Sequence, residues 1–566
     1  QEWKDQKKNT TKKVFDQYTD AFFKENISTN EITMHFFLEN PEKYRLEQPK
    51  NLYPSMNQGS VLNEKIKISK EIEKLKKFKQ KELTKKQQNT YMVLMDYLRR
   101  QKNLSMYPYY ERILGKTSGQ QAQILLTLSE YRLKNEKDIK SYFQLLKGLD
   151  GYFDSLIEYS KEQVKRNLFL SDQSLKEVLQ QIQNVIKQKE NNMLVATFNL
   201  RIADIKGINA AQKKKYCREN KKLIGTKVLP AYEKLYSHLQ ALNGNGKNEN
   251  GLYYYKNGKE YYELLLQKNI GSNKSVSDIQ SMMTKAYNSH LKNLMAVATK
   301  DPNIINKSEP KTNYKNYTEM LDDIQKNLFN DFPEVKNRSY HIEDINKEIA
   351  SSSGVAAYFN IPPLDGTDKK QLRVNPNSAD VSTVSTYHTV AHEGFPGHMY
   401  QYAYMYENIS SPYRKALANS SAYSEGYAVY AQYYAFKYLT DIDQNYLELT
   451  KENELATYCI IILADIGIHY EGWSFEQFKD FLNTKGLTLE DDEQFKSQYY
   501  QLQANPSAFQ PYYVGYEEIN ALKENAENKL GSKFKDKDFH TALLKSGTAP
   551  FNVVERNIDK YIEENK

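Results

Sequence analysis

The chain has 566 residues, 27% of them charged and 39% hydrophobic, an ordinary globular composition that excludes disorder. No apolar run approaches the ~20 residues that span a bilayer. The formal charge of +8 comes from 79 basic and 71 acidic residues, interleaved so that Lys-rich stretches such as "KIKISKEIEKLKKFKQKELTKK" read as solvated helix faces and no nucleic-acid partner is expected.

The polar start "QEWKDQKKNTTKK" suits the tether of an exported protein. It leads to the expectation of an extracellular or cell-surface protein, attached through a removed N-terminal lipid anchor, with the cytoplasm as the alternative. Residues 1–340 are expected as a helical N-terminal lobe and 341–566 as a catalytic helical lobe carrying a small sheet and a metal site, the two joined as one continuous domain. The first half is a series of amphipathic helices. "SDQSLKEVLQQIQNVIKQ" begins at a Ser171 cap and carries apolar residues at helical spacing, and "TKVLPAYEKLYSHLQAL" and "SVSDIQSMMTKAYNSHLKNLMAVATK" are of the same type. Cys217 and Cys459, one in each half, exclude a disulfide framework and a cysteine-rich metal site, and are expected as free buried thiols. The Gly- and Asn-rich "LNGNGKNENGLYYYKNGKEYYELLL" predicts turns and a short hairpin.

The pattern changes near residue 340. "GVAAYFNIPP" and "KKQLRVNPNS" are short, rich in β-branched and aromatic residues and bounded by Pro, Gly and Asn, so they predict two strands. Long helices return after residue 420: "SEGYAVYAQYYAFKYLT", Tyr446 to Ile468, "SFEQFKDFL", Tyr512 to Leu530 and "DKDFHTALLKSG". The expected fold class is mostly α, with one small β-sheet next to the metal helix.

Between the strands and the late helices lies "YHTVAHEGFPGHMYQ", which holds three of the chain's nine histidines. Zinc catalysis needs three protein ligands and an open position. His392 and His398 are six residues apart; on a regular helix that is ~120° off one face with ~9 Å of rise, too far for one ion. Pro396 lacks an N–H and disfavours helix at Phe395, and Gly394 and Gly397 tolerate unusual backbone angles. "GFPG" can therefore bulge two residues out of the helix and return His398 to the side of His392. Glu393 follows His392 as the general base does in H-E-x-x-H sites. Glu425, in "SAYSEGYAVYAQ", would complete a His, His, Glu set. Other readings stay open at this point: His388 and His392, four apart, as the pair; no metal at all; and Glu425 as a carboxylate that merely favours its helix N-terminus.

These residues also carry a resemblance. "HEGFPGHMYQ" resembles the H-E-G-x-P-G-H-x-x-Q signature of the bacterial family catalogued as domain of unknown function 885. "SEGYAVYAQ" is similar to its E-G-W-A-x-Y-A-E element, with Tyr427 for Trp and Gln432 for the last Glu. "LADIGIHYEGWSFEQ" is similar to its D-T-G-x-H-x-x-G-W stretch, with Ile466 for Thr. "NPSAFQPYYVGYEEINAL" and "KDKDFHTALLKSGTAPFNVVE" resemble its later elements, and "GLYYYKNGKEYYELLL" and "TMHFFLENPEKY" its earlier ones. The resemblance implies a large helical zinc-peptidase-like fold with a deep cleft, related to glutamate-ligand zinc metallopeptidases. By position it implies one Zn²⁺ held by His392, His398 and Glu425, with Glu393 as base.

The expected function is hydrolysis of peptide bonds by metal-activated water. A developing oxyanion needs a donor besides the metal, for which His469 and Tyr512 are the candidates, with Tyr513 as the rival of Tyr512. His388 and Asp465 are expected beside the ligands, Asp465 on a ligand imidazole. The strand "QLRVNPN" is expected as an edge that pairs an extended peptide, lined by Val374, Asn375 and Asn377. Arg373 on that strand would bind a substrate carboxylate, or else simply face solvent. A non-catalytic peptide-binding surface protein and a zinc amidohydrolase acting on a non-peptide amide are the alternatives. Oligomeric state has no signature in the sequence.

Overall fold

The computed structural model describes residues 1–56, 61–347, 349–350, 355–377 and 380–566. It is mostly helical, with one small three-stranded sheet among the described residues. The helices follow their sequence signals. Asp172–Gln188 starts where the Ser171 hydroxyl accepts the Ser174 N–H at 3.0 Å, and Val276–Lys300 starts at a reciprocal Ser275/Asp278 capping box. The Lys-rich helix Val61–Lys76 buries Ile68, Ile72 and Leu75, one stripe at helical spacing, and leaves most of its charge in water.

The sequence splits the chain near residue 340, but the apolar cores do not divide there. The largest core joins Phe15, Phe23, Leu94 and Leu98 to Ile324, Tyr387, Tyr427, Ile519 and Val554. A second is made of residues from Ile32 to Leu239. A third packs Leu252, Tyr262 and Met283 against Ile462, Ile466 and Val514. Early and late helices therefore share two of the three large cores.

Two strands are where the sequence places them, β2 (Ala357–Asn360) and β3 (Lys370–Val374); Gly354 and Ser378, at the ends of the segments read as strands, lie outside the described residues. A further strand, β1 (Tyr340–Asp344), is absent from the sequence reading. It pairs parallel with β3, while β2 pairs antiparallel on the other side, so the order is β1-β3-β2. This corrects the reading of "QLRVNPN" as an edge. The Val374 carbonyl accepts from the Ile345 N–H, the Asn375 N–H donates to Ala356, and the Val374 side chain is buried. The edge strands are β1 and β2.

The loop after residue 241 carries no strand. It makes one 3₁₀ turn, Leu252–Tyr254, and side chains take up its backbone groups: the Asn248 amide donates to the Gly251 carbonyl, and the Leu252 N–H donates to His469 Nδ1. Cys217 is half-buried and Cys459 buried, both as free thiols. Among the described residues no helix is long and apolar enough to cross a membrane.

Candidate metal centre

The helix Val384–Glu393 ends on "HE", and the helix His398–Asn408 begins at the next histidine. Between them the hydrogen-bond ladder carries two extra residues. The Gly397 N–H reaches back six residues to the Ala391 carbonyl at 2.9 Å, and the normal step resumes with Gln401 N–H to the Gly397 carbonyl at 2.9 Å. The Phe395–Pro396 bond is cis. Position 397 admits only glycine, because a Cβ there would lie 1.8 Å from the His392 carbonyl oxygen. The loop turns the two imidazoles to face each other, with ring centroids 4.9 Å apart and planes at 84°.

Glu425 arrives on a separate helix, Ser421–Tyr434. That helix crosses Gln510–Leu530 backbone on backbone at Gly426 and Gly515, where a Cβ on Gly426 would sit 2.4 Å from the Gly515 carbonyl carbon. The glycine beside Glu425 is thus a packing device. It brings Glu425 and Tyr512 to the same place: the Glu425 charge acts on the Tyr512 phenol, whose ring lies 6.4 Å from that of His392 at 20°. The Tyr427 hydroxyl donates to the Pro396 carbonyl at 2.7 Å and fastens the Glu425 helix to the bulge.

The donors converge. Glu425 Oε2 is 3.5 Å from His392 Nε2, and Oε1 is 3.1 Å from His398 Nε2. Two ligands of a tetrahedral zinc at ~2.0–2.1 Å stand ~3.3 Å apart, so this spacing matches a shared cation, and the N, N, O donor set is one that zinc accepts. Glu393 lies beside the same two imidazoles: ligand atoms of His392, Glu393 and His398 are all within 4.8 Å of one another. The other ring nitrogens are engaged: His392 Nδ1 lies 2.7 Å from Gln432 Oε1, and His398 Nδ1 lies 3.4 Å from Gln401 Oε1.

Electrostatics follow from these contacts. Burial works to raise the Glu425 carboxyl, but the two histidines outweigh it and hold the group at about 2. Burial works to lower His398, but Glu425, Glu393 and Gln401 carry it up to about 9. Burial, then the charges of Glu425 and Glu393, push the Tyr512 phenol well above its ordinary value. Glu393 Oε2 accepts the Phe359 N–H from β2 at 3.0 Å, so the carboxylate is held at the outer side of β2.

Several residues singled out from the sequence lie elsewhere. His469 is fully buried; Nδ1 accepts from the Leu252 N–H and Nε2 donates to the Leu502 carbonyl at 2.8 Å, which leaves no nitrogen for an oxyanion. Asp465 bonds no ligand imidazole; its Oδ2 accepts from Tyr262, Ser507 and Gln510. Tyr513 stacks on Tyr458 at 3.8 Å. Arg373 pairs with Glu130 at 3.1 Å, and Asn375 donates to the Val355 carbonyl. His388 stands outside the converging donors; its Nδ1 is buried without a partner, and burial followed by the His392 charge lowers it to about 4. The sequence reading missed Gln432, Gln401, Tyr427 and the Phe359 N–H. For the glutamines a signal existed: Gln432 is seven residues past Glu425, ~20° off its face, and Gln401 is three past His398.

Residues 47–558 match the family described as "Bacterial protein of unknown function (DUF885)". No curated protein matches the chain significantly. Among solved structures, a candidate lipoprotein from Colwellia psychrerythraea is similar over 98% of this chain and 99% of its own, at 16% identity with a TM-score of 0.82. A candidate lipoprotein of unknown function from Shewanella oneidensis is similar over 89% of this chain and 93% of its own, at 15% identity and 0.61. A candidate oligoendopeptidase F from Bacillus anthracis aligns over 90% of this chain and 96% of its own, but at 10% identity and 0.31, too remote to bear on function. At these identities the first two likenesses speak for the fold.

Proposed function

The chain belongs to the bacterial DUF885 family of unknown function, and on that premise we propose that it is a zinc-dependent metallopeptidase. The reading is carried by one observation: the two oxygens of one carboxylate stand each on a different imidazole, Glu425 Oε2 3.5 Å from His392 Nε2 and Oε1 3.1 Å from His398 Nε2, with a second carboxylate, Glu393, beside the rings. His392, His398 and Glu425 would hold the ion. When bound, zinc supplies a Lewis acid for the scissile carbonyl and lowers the pKa of water to about 7.

The chain's own groups do the rest. Glu393 takes the proton from the attacking water and returns it to the leaving amine. The Phe359 N–H holds that carboxylate in place. Tyr512 keeps its proton because its pKa is raised, and it donates to the developing oxyanion. An extended peptide adds to β2, whose alternate residues Ala357 and Phe359 turn their backbone groups away from β3, the Phe359 N–H excepted because Glu393 holds it. Surface attachment of this chain is part of the same reading, in keeping with the description of its structural relatives as candidate lipoproteins.

The test is zinc analysis of the full chain together with hydrolysis of a mixed peptide library. Glu393→Gln is expected to keep the metal and lower kcat by about 10²- to 10⁴-fold. A Glu393→Gln variant of near-full activity removes the proposed base. Bound zinc with no cleavage by wild type favours a peptide-binding protein or an amidohydrolase of other substrates.

A further inference from the structure

Metal-ligating histidines ordinarily donate their second ring N–H to a carboxylate, a backbone carbonyl or water, which fixes the tautomer and, for a carboxylate, raises ligand basicity. Here both partners are side-chain carboxamides. Gln432 and Gln401 are buried, at 6% and 4% exposure, so neither faces solvent by default. Each is placed by helix geometry. Gln432 stands two turns beyond Glu425 on the helix Ser421–Tyr434, and Gln401 stands one turn beyond His398 on the helix His398–Asn408. Their oxygens lie 2.7 Å from His392 Nδ1 and 3.4 Å from His398 Nδ1. An amide oxygen only accepts, so Nδ1 carries a proton on both rings, and Nε2 is the nitrogen that points to Glu425 and can bind a cation once its own proton leaves.

We infer that Gln432, and with a weaker hold Gln401, are positioning residues that lock both imidazoles as Nδ1–H tautomers with neutral partners, which makes the centre a weaker and more electrophilic metal site than a carboxylate partner would. This rests on the metal reading of the site. With neutral partners, Glu425 is the only anion among the ligands, and a divalent cation there keeps a net positive charge. A carboxylate at position 432 would share the Nδ1 proton, strengthen the His392 nitrogen as a donor and tighten metal binding. The unequal distances rank the two: the 2.7 Å contact governs His392, and the 3.4 Å contact on His398 is at the limit of a hydrogen bond.

The test is equilibrium zinc affinity of the full chain, measured by competition with a chromophoric chelator. Gln432→Met should weaken zinc binding 10- to 100-fold. Gln432→Glu should restore it to wild-type strength or better, and Gln401→Met should cost less than Gln432→Met. In zinc-loaded wild type, ¹⁵N NMR should show His392 protonated on Nδ1 and bound through Nε2. Gln432→Met within threefold of wild type, Gln432→Glu as weak as Gln432→Met, or coordination through Nδ1 overturns the inference alone. A wild-type chain that takes up no zinc overturns the metal reading and the inference with it.

Discussion

At His392 and His398 one carboxylate stands 3.5 and 3.1 Å from the nitrogens of two different rings. At His290 two carboxylates, Glu452 and Glu517, stand 2.5 and 2.6 Å from the two nitrogens of a single ring. Residue types barely differ between the two clusters, and Cys459 adds a sulfur to the second. Spacing separates them. The first has the separation of ligands around a shared ion, whereas the second has charge-assisted hydrogen bonds. Both nitrogens of His290 donate, so the ring has no lone pair left for a cation. Cys459 is held neutral, because burial and then the charges of Glu517 and Glu452 push its thiol far up. The His290 cluster is a buried ion triad that clasps three helices, Val276–Lys300, Gln444–His469 and Gln510–Leu530. The last of these also carries Tyr512. A histidine–carboxylate cluster is therefore judged by how many nitrogens of one ring face carboxylates, one at His392 and His398 and two at His290, not by its composition.

The strongest way to break this contrast is a metal count. Wild type should bind one zinc and His398→Ala none, the apo variant being destabilised by about 1–3 kcal/mol but still folded. Two ions per chain, falling to one in Cys459→Ser, would make the second cluster a metal site after all. In the opposite sense, His290→Ala strands two buried carboxylates and should cost about 3–5 kcal/mol in denaturant unfolding, while the folded variant still binds zinc.

The pH dependence sharpens the same point. Burial would lower His290, but Glu452 and Glu517 outweigh it and raise the ring to about 9, from 6.5. A raised basic group stabilises the fold fully below its unfolded value, so the advantage of wild type over His290→Gln should be complete below about pH 6.5 and fade as pH climbs through about 9. Urea midpoints of the two proteins across that range check the sign. The smallest effect belongs to the tie across the bulge: Tyr427→Phe loses one hydrogen bond to Pro396 and should cost about 1 kcal/mol, read as a lower melting temperature.

Local rules made much of this protein legible in its sequence. A cap at Ser171, apolar stripes and turn residues mark helices that the structure contains, and Pro and Gly in "GFPG" announce an interruption that two-residue arithmetic turns into a bulge. What failed were inferences about partners. β1 is five residues long and offers no clear alternation, so β3 looked like an edge until a third strand covered it. His469 and Asp465 have the chemistry of site residues, yet a histidine in a sequence does not reveal that Leu252 and Leu502 will consume both its nitrogens.

By itself, then, the sequence determined the helical class, the break between His392 and His398, and the inventory of donors, because all of these depend on neighbours a few residues apart. Only the tertiary structure decided that Glu425 meets the two imidazoles, that amides rather than carboxylates back them, and that His290 is clasped and not free. Those outcomes rest on contacts between helices tens to hundreds of residues apart, set by close backbone crossings such as Gly426 on Gly515 and by which buried polar group finds its partner first.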